Sequence, residues 1–192
     1  VMPLSVDKPG DPLHRFSGFS ASASQCRPLS RGSVQIRSAD PLAPPRIAPA
    51  YLTDPHDART LVAGLRQLRE IYRQPAFAPL VESEYLPGEA LQTDAELEQF
   101  ARTRGGTVFH MSGSCRMGSD DQAVVDPQLR VRGVRGLRVI DASVMPTMVS
   151  ANTNAATLMI AERGAALVRG ETPMPGEAAV RRESAVRRGA PV

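Results

Sequence analysis

The stretch from 154 to 168, N-A-A-T-L-M-I-A-E-R-G-A-A-L-V, constrains the fold more than any other part of the chain. Ala155, Ala156, Leu158, Met159, Ile160, Ala161, Ala165, Ala166, Leu167 and Val168 line almost every side of a helix that opens around Thr153 or Asn154. A helix that is apolar all round has to be packed on several sides. It is too short and too interrupted to cross a bilayer, since no stretch approaches the roughly 18 apolar residues a spanning helix requires.

What precedes this helix is assembled from short pieces. Residues 1–16 are rich in Pro and Gly and read as loop. Residues 17–26, S-G-F-S-A-S-A-S-Q-C, place Phe19, Ala21 and Ala23 on one face, as in a half-buried strand. Residues 31–38 alternate more clearly, with Val34 and Ile36 opposite Ser33, Gln35 and Arg37. The two runs, separated by Pro28 and Gly32, predict an antiparallel pair. Residues 40–49 hold four prolines and predict an extended connector. A helix follows, capped by Thr53 or Asp54 with Pro55 in its first turn, and ends near Gln74. Its apolar stripe is Leu61, Val62, Leu65, Leu68 and Tyr72, with Arg59, Arg66, Arg69 and Arg73 opposite. Thr93-Asp94-Ala95-Glu96 is a capping-box pattern that opens a second helix, which stops at Gly105-Gly106.

From Thr107 the character changes. Residues 107–109 read as a short strand, and residues 110–118 as a loop of small residues. Residues 124–125 and 129–131 read as short extended pieces. Residues 137–140, L-R-V-I, read as a buried strand with Asp141-Ala142-Ser143 at its carboxyl end. Residues 171–192 combine Pro, Gly, Ala and charge and predict a disordered tail.

Several function classes are excluded by composition. A net charge of +3 is small and spread along the chain, Trp is absent, and aromatics are 4%. Neither a clustered phosphate-binding footprint nor an aromatic platform for single strands is present, so no nucleic-acid partner is expected. Two cysteines, Cys26 and Cys115, exclude a disulfide scaffold, and His and Cys are too few for a closed zinc site, so no metal is expected. No secretory leader is visible, which predicts a cytoplasmic location.

Among the three histidines, His14 and His56 read as surface residues. His110 leaves a short strand and enters a loop of small residues, where scaffolds place reactive side chains. Ser112-Gly113-Ser114 lacks the first glycine of a nucleophile elbow. Residues 113–118 lack the Lys-Ser/Thr of a phosphate loop. Cys115 lies five positions from His110 and reads as a structural thiol ahead of a nucleophile.

The order of features is more telling than any one of them. His110 is followed by S-G-S-C-R-M-G, then V-V-D-P-Q-L-R-V, G-L-R-V-I-D-A-S, V-M-P, S-A-N-T-N and the apolar helix. This string resembles the C-terminal segment of the glucose–methanol–choline flavoprotein oxidoreductases, and among them the choline dehydrogenase-like enzymes. The matching residues are His110, Gly113, Cys115 to Gly118, Val125-Asp126-Pro127, Leu129 to Val131, Gly136 to Val139, Asp141 to Ser143, Pro146 and Asn152 to Asn154. Upstream, R-P-L-S-R-G-S-V-Q-I-R-S-A-D-P in residues 27–41 and the D-P-x-D start of the first helix are similar too. Met111 stands where many relatives have Pro.

The resemblance implies a fold, a cofactor and a chemistry. The fold class is α+β or α/β: part of an antiparallel-sheet substrate domain, then the closing strand and C-terminal helix of a Rossmann-like FAD domain. Residues 1–109 would belong to the former and 110–170 to the latter. The Gly-rich βαβ turn that grips the FAD pyrophosphate has no counterpart in these 192 residues, so an N-terminal dinucleotide-binding segment is the implied missing partner. The implied reaction is oxidation of a primary alcohol, choline-like or other, by hydride transfer to flavin N5. His110 and Asn152 match the catalytic positions. Asp141, Ala142, Thr153, Asn154 and Ala155 would contact FAD. Plain readings stand beside these: Asn152 and Asn154 as helix caps, Asp141 as a turn-former, Arg116 as an ion-pair residue. The alternative for the chain as a whole is a truncated or split product, inactive without an FAD-binding partner. A choline-type site would further require an aromatic or acidic cage, for which Tyr85 and Glu84 are candidates.

Overall fold

The computed structural model describes residues 1–8 and 10–171. The tail expected from 171 onward falls, apart from Glu171, outside the described residues. The chain divides into two units, residues 1–110 and the part that begins at Met111.

The first unit is built on two helices. Helix α1 spans Pro55–Tyr72 and α2 spans Asp94–Arg104. Both starts follow from local chemistry. Asp54 accepts the His56 N–H at 2.8 Å, and Pro55 begins the helix where its missing N–H is harmless. Thr93 and Glu96 close a full capping box, with Glu96 N–H to Thr93 Oγ1 at 3.2 Å and Thr93 N–H to Glu96 Oε2 at 2.8 Å. α1 packs on α2, burying Ala58, Val62, Leu97 and Ala101.

The sheet differs from the sequence-based expectation. Strand β1, Ser33–Gln35, pairs antiparallel with β2, Arg46–Ala48, in the register Ser33 to Ala48, Val34 to Ile47 and Gln35 to Arg46. The partner of β1 is thus the proline-rich connector. Arg46, Ile47 and Ala48 are three consecutive residues with free N–H groups between Pro45 and Pro49, and three suffice for a short ladder. Residues 17–26 form no strand with β1. Among the described residues Ser20 bridges only Met2, and Ala23 lies against α1, where a β-carbon on Gly64 would stand 2.5 Å from the Ala23 methyl. Phe19 meets Tyr72 and Phe77 at ring distances of 5.4 and 5.7 Å. Side-chain packing on a helix has displaced ladder pairing.

Residues 107–109 do not form a strand either. Phe109 adopts φ +60°, a left-handed conformation that breaks an extended run, and its N–H donates to Thr107 Oγ1 at 2.9 Å.

The second unit surrounds a core of Val125, Leu129, Val144, Met145 and Ile160. Its backbone is held by isolated bridges. Cys115 N–H donates to Ser143 O and Met117 N–H to Val144 O, both at 2.9 Å, so the C-R-M-G segment runs beside D-A-S-V. Residues 137–140 form no strand in this chain. Among the described residues their backbone pairs with the 129–131 segment, through an Arg130–Arg138 bridge and a Val139 N–H to Leu129 O bond of 3.1 Å, and Leu137 is half exposed. Helix α3, Asn154–Arg169, starts where expected and closes on Gly170 at φ +69°. It is not packed on several sides: Ile160, Gly164 and Ala166 are buried, while Leu158, Met159 and Val168 are each more than 60% exposed. Among the described residues no helix is long and apolar enough to cross a membrane.

Candidate functional site

Residues 141–144 and the start of α3 form the part of the second unit that can meet a ligand. Asp141 is extended (φ −155°), and its Oδ1 accepts the Ser143 N–H at 2.8 Å. That bond starts a single 3-10 turn, Ala142–Val144, which packs against α3. Val144 is fully buried, Ala142 half-buried and Asp141 exposed, so the turn is anchored from below and open above. Asp141 does form the turn, in agreement with its plain reading.

At the N-terminus of α3, Asn152, Asn154 and Ala155 are exposed and Thr153 is buried. Thr153 occupies the cap position without a side-chain cap bond, while its carbonyl accepts both the N–H and the Oγ1 of Thr157, at 2.9 and 2.8 Å. The first-turn N–H groups of a helix have no intrahelical acceptors and carry the positive end of its dipole. With the Asn152 amide just before them, they form a donor set suited to an anionic or carbonyl oxygen. The chemistry therefore fits the carbonyl- and phosphate-rich surface of a flavin nucleotide.

His110 is the last residue of the first unit and is half-buried, directly after the left-handed Phe109. Asn152 belongs to the second unit. Cys115 is half-buried and holds the Ser143 carbonyl through its backbone, which gives the C-R-M-G motif a structural role. Arg116 makes a two-pronged ion pair with Asp120, at 2.9 and 2.6 Å, and its guanidinium holds that carboxyl well below the usual range. Gly118 leaves the room for this pair, since a β-carbon there would stand 2.7 Å from Asp120 Oδ2.

Two anchors in the first unit escaped the sequence reading. Asp57 is buried and accepts the N–H groups of Leu29 and Ser30 at 2.9 and 2.8 Å, with Gln25 Nε2 at 3.4 Å. Burial alone would raise its pKa, but these bonds and one from the Ser30 hydroxyl outweigh burial and hold it at about 2. The same hydroxyl accepts the Asp54 N–H at 3.0 Å, so the 29–30 turn is locked onto the start of α1. The signal was present as the last residue of D-P-x-D, but a first-turn Asp is ordinarily read as a dipole partner. Arg69, placed by periodicity on the solvent side of α1, instead has a side chain only 10% exposed. It pairs with Glu84 at 3.0 Å and donates to the Leu91 and Gly88 carbonyls. Glu84, the acidic candidate for a cation cage, is thereby neutralised. Tyr85 packs on His14 and Phe16 at ring distances of 5.1 and 5.2 Å, too close to admit a quaternary ammonium between the rings. His14 is not an ordinary surface residue: its Nδ1 meets Ser5 Oγ at 2.8 Å and its ring stacks on Phe16.

Residues 28–161 match the family described as GMC oxidoreductase. The oxygen-dependent choline dehydrogenase of Acinetobacter baumannii (strain AYE) is 43% identical over 174 residues, covering 91% of this chain and 32% of the relative. Among solved structures, pyridoxine 4-oxidase from Mesorbium loti aligns with a TM-score of 0.69 at 36% identity, over 77% of this chain and 29% of the other. An FAD-dependent oxidoreductase from Chaetomium thermophilum aligns at 0.68 with 37% identity, over 76% and 25%. The chain spans about a third of the length of the curated relatives it matches. With a family match that runs from the 29–30 turn through the C-R-M-G and D-A-S segments into α3, the chain belongs to the GMC oxidoreductases.

Proposed function

We propose that the chain is the C-terminal portion of an FAD-dependent enzyme that oxidises a primary alcohol. Residues 1–109 serve its substrate domain and residues 110–170 close its Rossmann-like flavin domain. The observation that carries this reading is the exposed N-terminus of α3, directly after an exposed Asn152 and backed by the 141–144 turn. FAD supplies the acceptor for the hydride that leaves the substrate α-carbon.

In this assignment the His110 imidazole takes the hydroxyl proton. The Asn152 amide donates to the same oxygen and stabilises its alkoxide character without titrating. Asp141 and Ala142, with the first-turn N–H groups of Thr153, Asn154 and Ala155, hold the flavin nucleotide. The uncovered Leu158, Met159 and Val168 face the implied N-terminal segment. The relatives support this reading by their names, a choline dehydrogenase and a pyridoxine 4-oxidase.

The test is a chimera in which residues 1–192 replace the corresponding third of the Acinetobacter baumannii relative. The 192-residue chain alone is expected to purify colourless, and the chimera yellow and bleached by a primary alcohol under anaerobic conditions. A folded chimera that holds flavin but is bleached by no primary alcohol contradicts the proposal and favours a split, non-catalytic product.

A further inference from the structure

Residues 115–118 form the middle of a three-part strip in the second unit. On one edge, the N–H groups of Cys115 and Met117 donate to the carbonyls of Ser143 and Val144, both at 2.9 Å. On the other edge, the Arg116 carbonyl accepts the Val124 N–H at 2.9 Å, and the Gly118 N–H donates to the Val125 carbonyl at 3.1 Å. Arg116 therefore stands between the two rungs that hold the 142–144 turn, and its own carbonyl ties those rungs to residue 124.

The loop between 118 and 124 is closed by one side-chain fork. Asp120 receives both prongs of the Arg116 guanidinium, at 2.9 and 2.6 Å, and the same carboxylate accepts the Gln122 N–H at 3.0 Å. The Asp120 carbonyl accepts the N–H of the buried Ala123 at 3.1 Å. A β-carbon at Gly118 would stand 2.7 Å from Asp120 Oδ2 and 3.0 Å from Arg116 Nη1, so the fork closes only over a glycine. A two-pronged arginine pair fixes direction as well as distance, which the point charge of a lysine does not. An ion pair half open to solvent adds little to global stability, so the effect of the fork is local: it holds the strip at one height.

We propose that Arg116 and Asp120 are positioning residues for the flavin nucleotide: their fork sets the 115–118 strip, and the strip sets the Asp141–Ser143 turn where it meets the cofactor. The inference rests on the assignment of that turn to flavin binding. Both side chains act through the backbone bonds to residues 143 and 144. Without the fork the turn samples more conformations, and binding has to offset the ordering that the fork supplies in advance.

The chimera described above tests this with two readouts: the FAD dissociation constant, from equilibrium dialysis, and hydrogen exchange at the Val144 and Met145 N–H groups, which donate to Asp141 and Ala142 carbonyls at 3.2 Å. R116A and D120A should each weaken FAD binding about tenfold and speed exchange at 144–145 by about as much. Exchange in α1 and the urea midpoint should stay close to the parent. R116K, which keeps the charge but not the fork, should fall between R116A and the parent. G118A should match R116A although it removes no charge. A purely structural pair would instead lower the urea midpoint and leave the FAD affinity of the folded fraction unchanged, which overturns the proposal, as does weaker FAD binding with exchange at 144–145 unaltered. A parent chimera that holds no FAD overturns the flavin reading and this proposal with it, whereas a parent that holds FAD as tightly as R116A, D120A and G118A do overturns this proposal alone.

Discussion

Ile140 fills the space where a side chain on Gly164 would begin. A β-carbon at Gly164 would stand 2.3 Å from Ile140 Cγ2 and 2.9 Å from Cδ1. This contact seats the segment that leads into Asp141 directly on α3. A mid-helix glycine costs about 1 kcal/mol relative to alanine, and here that cost is offset by the close approach. Gly164→Ala should therefore destabilise the chain by about 1–3 kcal/mol in spite of its better propensity, because a β-branched side chain cannot swing aside. Ile140→Ala in the same background should recover at least about 1 kcal/mol of coupling in a double-mutant cycle read from urea midpoints. A Gly164→Ala chain more stable than the parent would refute the contact.

Asp57 predicts a specific acid sensitivity. Its folded pKa of about 2 lies below the ordinary carboxyl value of 3.8. Stability from such a depressed carboxyl is fully present above the unfolded pKa and is lost as pH falls through the folded one. A shift of this size corresponds to about 2 kcal/mol, lost between about pH 4 and pH 2. Asp57→Asn should cost about 2–3 kcal/mol at pH 7, since an amide offers one acceptor oxygen to the N–H groups of Leu29 and Ser30. It should also flatten the pH dependence in that window. Urea titrations from pH 2 to 7 give both readings, and an unchanged acid slope in Asp57→Asn would count against the anchor.

The Arg69–Glu84 pair organises residues 84–91 against α1. Removing one member leaves a partly buried charge without its partner, so Arg69→Ala should cost about 3 kcal/mol and Glu84→Gln less. Arg69→Ala should also open residues 81–92 to limited proteolysis, because the Gly88 and Leu91 carbonyls lose their donor. Cleavage unchanged in that segment would assign Arg69 a purely surface role.

The helices were legible in the sequence because their determinants are local. Asp54-Pro55 and Thr93 with Glu96 each lie within four residues of what they cap. Pairing was not legible, because it depends on what else competes for a segment. Residues 17–26 alternate like a strand, yet Ala23 fits the bare face of Gly64, and β1 takes Arg46–Ala48 instead. Residues 137–140 carry a strand pattern, yet a strand is a property of its neighbours, and among the described residues their backbone finds only the short 129–131 segment to pair with. Arg69 shows the limit of periodicity: an arginine beside an apolar stripe is buried once a carboxylate and two carbonyls close over it. The candidate site was read from the order of motifs. His110 and Asn152 have no distinguishing local pattern, whereas the turn at Asp141 was open to both of its readings and is built as a turn.

The direct test of the account is anaerobic stopped-flow reduction of the flavin by alcohol in a complete enzyme that carries residues 1–192. Loss of a positioned proton acceptor typically costs ~10²–10⁴-fold in rate, so His110→Ala should slow bleaching by about that factor with flavin still bound. Asn152→Ala should slow it less, through loss of one neutral hydrogen bond, and Cys115→Ser should reduce at close to the parent rate. Full-speed reduction in His110→Ala, or none in a folded Cys115→Ser, would contradict the assignment.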